Sequence, residues 1–356
     1  MSEIPLVTQT LYAELVDQLV LWETQRSIGS LSGGFVSKEV KGKKYYYFQH
    51  FLPGGERTQT YVGQAGPEMD SLVEKYKKER PDFIADQENI QQLCAQLRAG
   101  GAITASHAHV RVLQALADAG VFRIGGVLVG TQAFAAMGNI LGERWESRGI
   151  ETQDVDIAWE LGLALAVPEL PEADVPKTLE QLKMGFFPVP PLDPRNPSTS
   201  FKVRKSALRV DILTPMGKIQ SDRPIYLPRL RTAGQALKYL DYLIETPSQA
   251  ALINSTGVLV NIPDPARFAF HKLVVSQERP VVEQVKKHKD LKQAALLFAV
   301  LLEKRPGDIH AAWDALTGRG SSWIKKARQG FNDMKKQYPG TPDISKFSEE
   351  SFDPSQ

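Results

Sequence analysis

Cysteine is nearly absent from this 356-residue chain, which has only Cys94. A single thiol excludes an intramolecular disulfide and any cysteine-rich zinc site. Cys94 stands in Leu93-Cys94-Ala95-Gln96-Leu97, a helical context in which it reads as a packing residue rather than a nucleophile. Long apolar runs are absent too. None approaches the ~18 residues that a membrane-crossing helix needs, so no membrane partner is expected. Charge of one sign is lacking: 43 Lys and Arg against 41 Asp and Glu leave a net +2. With no global field, any contact with nucleic acid must rest on a local patch. The opening residues show no basic-then-apolar leader pattern, and the expected compartment is the cytoplasm. No repeat at a solenoid period is visible. The remaining composition, 42% hydrophobic and 24% charged, is that of a globular protein of two or three domains with a real core.

Against this plain background one pattern stands out. Thr152-Gln153-Asp154-Val155-Asp156-Ile157-Ala158-Trp159 reads as a strand with alternating faces. Asp154 and Asp156 then point to one side, with Cα atoms about 6.6 Å apart. At an effective dielectric near 20 the two charges repel by roughly 2–3 kcal/mol, a cost tolerable with solvent or a divalent cation between them. Paired Mg²⁺ ions held by carboxylates serve in-line phosphoryl displacement. Alone, Asp-Val-Asp reads more simply as an exposed face at a sheet edge.

The upstream residues shift that balance. Val127-Leu128-Val129 is a short apolar strand followed by Gly130-Thr131, and Gln132 to Met137 has helix propensity apart from Phe134. A strand ending in Gly, then a hydroxyl residue at a helix start, makes an anion site from backbone N–H groups, the hydroxyl and the helix dipole. A third carboxylate follows. Ser200–Arg204 and Leu208–Leu213 read as two strands joined by a turn at Lys205-Ser206-Ala207, and Asp211 on the second could lie beside the first pair. By itself Asp211 is equally well a solvated strand residue.

Together, Val-Gly-Thr, Asp-x-Asp and the later strand aspartate resemble the nucleotidyltransferase superfamily typified by DNA polymerase β. More narrowly, the chain is similar to bacterial AbiEii-type nucleotidyltransferase-domain proteins. In that family a lysine on a following helix and a Lys-Asp pair complete the pattern, here Lys272 and Lys289-Asp290. The resemblance covers roughly residues 110–305. One departure is Gln293, where relatives often carry a second Asp three residues after the pair.

The resemblance implies an α+β protein built on a polymerase β-like palm, a mixed sheet with flanking helices. It implies transfer of a nucleoside monophosphate from an NTP to an acceptor hydroxyl with release of pyrophosphate. Asp154, Asp156 and Asp211 would be the catalytic and metal-binding residues, with Mg²⁺ (or Mn²⁺) as cofactor. Gly130, Thr131 and Lys272 would bind the nucleotide. RNA, a protein side chain and a small molecule all stay open as acceptors, and a small partner protein is also compatible. Two alternatives stand beside this: a catalytically silent nucleic-acid-binding or regulatory protein, and a toxin-like transferase of a toxin–antitoxin or phage-defence system.

Patterning divides the chain into a helical module with an antiparallel meander (1–105), the palm (106–263), a helical domain (264–336) and a weakly ordered tail (337–356). Residues 8–28 predict an amphipathic helix carrying Leu11, Leu15, Leu19 and Trp22. Three strand-like runs follow, Phe35–Val40, Lys44–Leu52 and Thr58–Val62. Helix is expected over 67–98, broken at Pro81, and again over 106–119. The proline-rich stretch 168–198 reads as a loop beside the active-site mouth or an insertion. Tyr239–Ile244 and Gly257–Ile262 read as strands, and Pro263-Asp264-Pro265 opens the helical segment.

Two further clusters invite function. His107 and His109 suggest metal ligands, but Ser106 is a better helix N-cap, and residues two apart on a helix do not share a face. The meander offers Lys38, Lys41, Lys43 and Lys44, then Tyr45-Tyr46-Tyr47-Phe48, with Arg57 and Tyr61 further on. Basic residues alternating with aromatics contact phosphates and stack on bases. The ordinary alternative, a hairpin with one aromatic face packed inward and lysines in water, is slightly favoured because a small sheet needs such a core.

Overall fold

The computed structural model describes residues 1–52, 54–145, 153–160, 172–191, 193, 196–217 and 223–341. The chain opens with β1 (Ser2–Glu3) and α1 (Leu6–Thr24). The inward stripe of α1 is Tyr12, Leu15 and Leu19, with Leu11 and Trp22 partly buried beside it. A meander of β2 (Gly34–Val40), β3 (Lys43–Phe51) and β4 (Arg57–Gln64) follows, antiparallel throughout. Lys41 and Gly42 both adopt positive φ, 52° and 71°, as a two-residue primed turn between strands requires.

Helix α2 (Pro67–Ala99) runs unbroken through Pro81, contrary to the expected break. A helix-interior proline removes one hydrogen bond but keeps a helical φ. Val73 and Tyr76 on one side of Pro81, and Phe83 and Ile90 on the other, are buried, so packing holds both halves in line.

Next come α3 (His107–Asp118), β5 (Val127–Val129), α4 (Gly130–Leu141), β6 (Glu143–Arg144) and β7 (Asp154–Ala158). The stretch 168–198, expected as loop, contains α5 (Val175–Gln181) and β8 (Phe186–Pro188). Pro176 falls in the first turn of α5, where its missing N–H costs no hydrogen bond, and Asp174 caps that helix by accepting from Lys177 N. Residues 168–171 of this stretch, together with Thr152 of the expected strand, lie outside the described residues.

Beyond these lie β9 (Ser200–Val203), β10 (Arg209–Pro215), β11 (Ile225–Leu227) and β12 (Thr232–Leu237). Residues 240–244, read as strand from sequence, form a short helix, α6 (Leu240–Ile244). A brief apolar run does not distinguish a buried helical turn from a strand. Here Tyr242 donates to Ala312 O at 2.8 Å, a contact distant in sequence that fixes the turn. The hairpin β13 (Ser248–Ile253) and β14 (Gly257–Ile262) leads into α7 (Pro265–Ser276), α8 (Gln284–Lys304), α9 (Pro306–Thr317) and α10 (Ser321–Gln337). The C-terminal part of the expected tail, 342–356, lies outside the described residues.

The architecture is mixed α/β, with ten α-helices among the described residues. A seven-stranded mixed sheet has the order β11-β12-β10-β7-β5, and β8 and β9 extend it from β10. Strand β10 is parallel to β7 and β12 and antiparallel to β9; β5 is antiparallel to β7. One face of this sheet is dry, because Val155, Ile157, Val210 and Ile212 are fully buried. The other face bears the aspartates. A single core joins the sheet to α7 through α10, while a second cluster packs α1 and the end of α2 against β13. Tyr12 locks that second contact, donating to Ala251 O at 3.0 Å and accepting from Ala251 N at 3.1 Å.

Candidate active site

Strand register builds the site. Asp154 and Asp156 occupy alternate positions of β7, and in the parallel pairing with β10 they stand opposite Arg209 and Asp211. Neighbouring strands lie about 4.8 Å apart. All three carboxylates therefore share one sheet face, opposite the buried Val155 and Val210. Strand β5 runs on the far side of β7 and sets Val129 beside Asp156. The chain then turns directly into α4, and Gly130 takes φ +67° at that junction. A Cβ there would collide with the Asp156 carboxylate, so glycine is required both by conformation and by space. Thr131 follows in the first turn, largely buried.

The electrostatics are one-sided. Burial, then Asp211 and Asp154, push the Asp156 carboxyl up to about 7, with Lys272 and Arg209 opposing. Asp211 accepts from Arg209 Nε at 2.7 Å, and the same Nε also reaches Ser200 Oγ at 2.7 Å. This pairing turns Asp211 toward the guanidinium. Among the described residues, no three His, Cys, Asp or Glu side chains are gathered closely enough to hold a metal as they stand. The donor set nevertheless suits a hard divalent cation: three carboxylates on one face, with burial and then its two neighbours raising the pKa of Asp156.

Helices α7 and α8 form the opposite wall of a cleft of about 650 Å³. Asp264 starts α7 as its N-cap, accepting from the N–H groups of Ala266 and Arg267. Lys272 lines the cleft, but its ammonium is committed: it donates to Asp290 Oδ1 at 2.5 Å and lies 5.1 Å from the Phe268 ring centroid. Arg279 takes the other oxygen of Asp290 at 3.0 Å. Burial opposes ionisation of Asp290, yet Lys272 and Arg279 hold its carboxyl below the usual range. The Lys-Asp pair thus divides its labour, Asp290 fixing two cations and Lys289 remaining beside the carboxylates. Burial, then Lys272, lower the Lys289 pKa, against the pull of Asp290, Asp154 and Asp156.

A nucleotidyltransferase family matches residues 107–317, more than half of the chain. The chain belongs to this family. Comparison with curated proteins and with solved structures gave no match. The nucleotidyltransferase domain starts at α3 and ends with α9, so it takes in the sheet, the cleft and the Asp290 cluster.

Sequence patterning singled out Asp154, Asp156, Asp211, Gly130, Thr131 and Lys272, and all six line the cleft of this nucleotidyltransferase. It gave no site role to Arg209, His271 or Arg279, which line it too, as does Lys289 of the Lys-Asp pair. A helical signal for some of these exists: Lys286, Lys289, Asp290 and Gln293 recur at the i, i+3, i+4, i+7 spacing of one face of α8. Burial and then Lys272 push the His271 imidazole down to about 3, so it is neutral at pH 7. Gln293 is buried, and neither amide atom finds a partner among the described residues. His109 packs against its own helix start. Its N–H donates to the Ser106 hydroxyl at 3.2 Å, its Nδ1 lies 2.7 Å from the same oxygen, and burial lowers its pKa.

Proposed function

We propose that this nucleotidyltransferase moves a nucleoside monophosphate from an NTP to an acceptor hydroxyl in a divalent-metal-dependent reaction centred on Asp154, Asp156 and Asp211. The observation that carries the reading is the register of β7 against β10, which aligns the three carboxylates on one face beside Gly130. Asp154, Asp156 and Asp211 would hold Mg²⁺ or Mn²⁺, Asp211 exchanging the Arg209 guanidinium for the ion. When bound, the cation neutralises phosphate charge and lowers the pKa of the attacking hydroxyl.

The chain's own groups do the rest. Gly130 leaves the backbone bare where the triphosphate must approach, and the N–H groups and Thr131 hydroxyl at the start of α4 face its anionic oxygens. Lys289 supplies a positive charge from the opposite wall, while Lys272 and Arg279, fixed on Asp290, set that wall's position. Holding donor and acceptor in line within a cleft this charged accounts for most of the acceleration. The closer kinship with AbiEii-type enzymes rests on Lys272 and Lys289-Asp290, which meet across α7 and α8.

The test is binding before chemistry. Mn²⁺ binding followed by electron paramagnetic resonance should show ions taken up by the wild type, more tightly with NTP present. Asp156→Asn and Asp211→Asn should weaken that uptake, and pyrophosphate release with an extract of acceptors should fall in parallel. Uptake of Mn²⁺ that is unchanged in both variants would overturn the assignment.

A further inference from the structure

The meander resolves its two readings into two faces. Phe35, Tyr46 and Phe48 turn inward onto α2, where Tyr76 meets Phe35 and Phe48 edge-on at 5.2 and 5.7 Å. Tyr46 donates to Asp70 Oδ1 at 2.8 Å. The pleat therefore sends Tyr45, Tyr47 and Tyr61 to the other face. Tyr61 is 56% exposed and Tyr45 and Tyr47 are half-buried beside it, the three gathering into one cluster with Tyr47–Tyr61 centroids 5.6 Å apart and Tyr45–Tyr61 6.3 Å apart.

Charge completes the pattern. Register places Lys38 opposite Tyr45, Lys43 opposite Val40 and Arg57 opposite Phe51, all on this outward face. The alternation puts no aspartate or glutamate on it, since Glu39 belongs to the inward set. Lys38 lies 4.7 Å from the Tyr47 ring centroid and donates to Gln59 Oε1 at 2.7 Å, so it is held over the aromatic cluster without an acidic partner. Core packing does not explain three tyrosines gathered on the outward face, because the meander's own core is already built from the inward residues.

We infer that the outward face of β2–β4 is a docking platform for a single-stranded polynucleotide, with bases stacked on Tyr45, Tyr47 and Tyr61 and phosphates drawn to Lys38, Lys43 and Arg57. Each base has a π-face, so such stacking tolerates sequence, and flanking cations track the backbone. The platform also joins the catalytic sheet. A Cβ at Gly54, in the turn between β3 and β4, would collide with Lys183, just ahead of β8. From β8 the sheet steps through β9 to β10 and Asp211, and Lys202 of β9 pairs with Arg209 on the carboxylate face. A strand held on the meander is thus the class of acceptor that this reading favours, and it rests on the nucleotidyl-transfer reading only in calling that strand the acceptor.

The experiment is fluorescence anisotropy of labelled 12-mers of U and of dT with the full chain, without NTP, across a salt series. Tyr47→Ala and Tyr61→Ala should each weaken binding about tenfold, and Lys38→Gln with Lys43→Gln should flatten the logarithmic salt slope by about 0.7 per lost contact. An abasic 12-mer of equal charge should bind far more weakly. Tight U with weak dT would make RNA the ligand; equal binding would make the platform indifferent to the sugar. Circular dichroism and melting curves keep the comparison to folded variants, and Tyr47→Phe should retain affinity if stacking is the interaction. Oligonucleotide binding that is unchanged in folded Tyr47→Ala and Tyr61→Ala, or abasic binding equal to U and dT, would overturn the inference. So would a face that only self-associates, seen as a dimer in sedimentation that these variants dissolve. Asp156→Asn should bind the 12-mer like wild type, so failure of nucleotide transfer and failure of the platform are read separately.

Discussion

Two charged groups face each other across the same cleft and are balanced in opposite ways. On α7 and α8, one buried carboxylate, Asp290, is claimed by two cations, Lys272 and Arg279. On β7 and β10, three carboxylates share a face with one guanidinium, and burial, then Asp211 and Asp154, push Asp156 up to about 7. The first cluster is satisfied by the protein itself and positions a wall. The second is left in want of positive charge, and a ligand is what would supply it. Residue type does not separate the two; the local count of opposite charges does.

Breaking that comparison should produce its largest effect at Asp156. Asp156→Asn removes a carboxylate from the unbalanced cluster, and turnover, read as pyrophosphate release, should fall by roughly 10²–10³ or more while the fold survives. Activity near the wild-type level would show that the cluster is not catalytic.

The balanced cluster should fail differently. Asp290→Ala leaves Lys272 partly buried without its carboxylate while Arg279 keeps Glu283 at 3.2 Å, which should cost about 3 kcal/mol and lower the melting temperature by several degrees. Adding Lys272→Met should recover part of that loss. If Asp290→Ala melts like wild type, the cluster is not what holds α7 to α8.

At the junction between the two walls, Gly130→Ala should cost about 1–2 kcal/mol for its left-handed backbone alone. It should also displace the Asp156 carboxylate, so Mn²⁺ uptake should weaken with it. A chemical-denaturation curve checks the first effect and a metal titration the second. Full stability with normal uptake would mean that the junction relaxes elsewhere.

The smallest effect sharpens the electrostatics. The folded-state pKa of Asp156, about 7, lies above the ordinary carboxylate value of 3.8. A raised carboxylate favours folding while protonated, and that stability is lost as pH rises through the folded value. Without divalent ions, Asp156→Asn should therefore melt close to wild type near pH 4 and increasingly above it as pH rises to 8, by a few degrees at most. A gap that is the same at both pH values would place the Asp156 titration elsewhere.

How much was legible beforehand differs between elements. The meander, α3 and the strands carrying the aspartates followed from alternation and helical spacing. Tyr239–Ile244 and Pro81 misled because each local preference was overruled by burial: of Leu240, Tyr242, Leu243 and Ile244 in one case, of Tyr76 and Phe83 in the other. The pairing of Asp154 and Asp156 was legible because strand alternation alone puts them on one side. The partner of Lys272 was not, since Asp290 lies a full helix later and the pairing depends on how α7 and α8 pack.

The sequence by itself determined which residues alternate, which turns need glycine, and that Asp154 and Asp156 share a side of their strand. Those are local properties, set by backbone geometry over a few residues. Only the tertiary structure decided that Asp211 stands opposite Asp156 in a parallel pair, that Arg209 claims it, and that Lys272 is bound to Asp290 while Lys289 is left beside the carboxylates. It also decided which tyrosines of the meander face water. Such outcomes depend on register and packing between segments far apart in the chain, where every local pattern allows several arrangements and burial of the whole selects one.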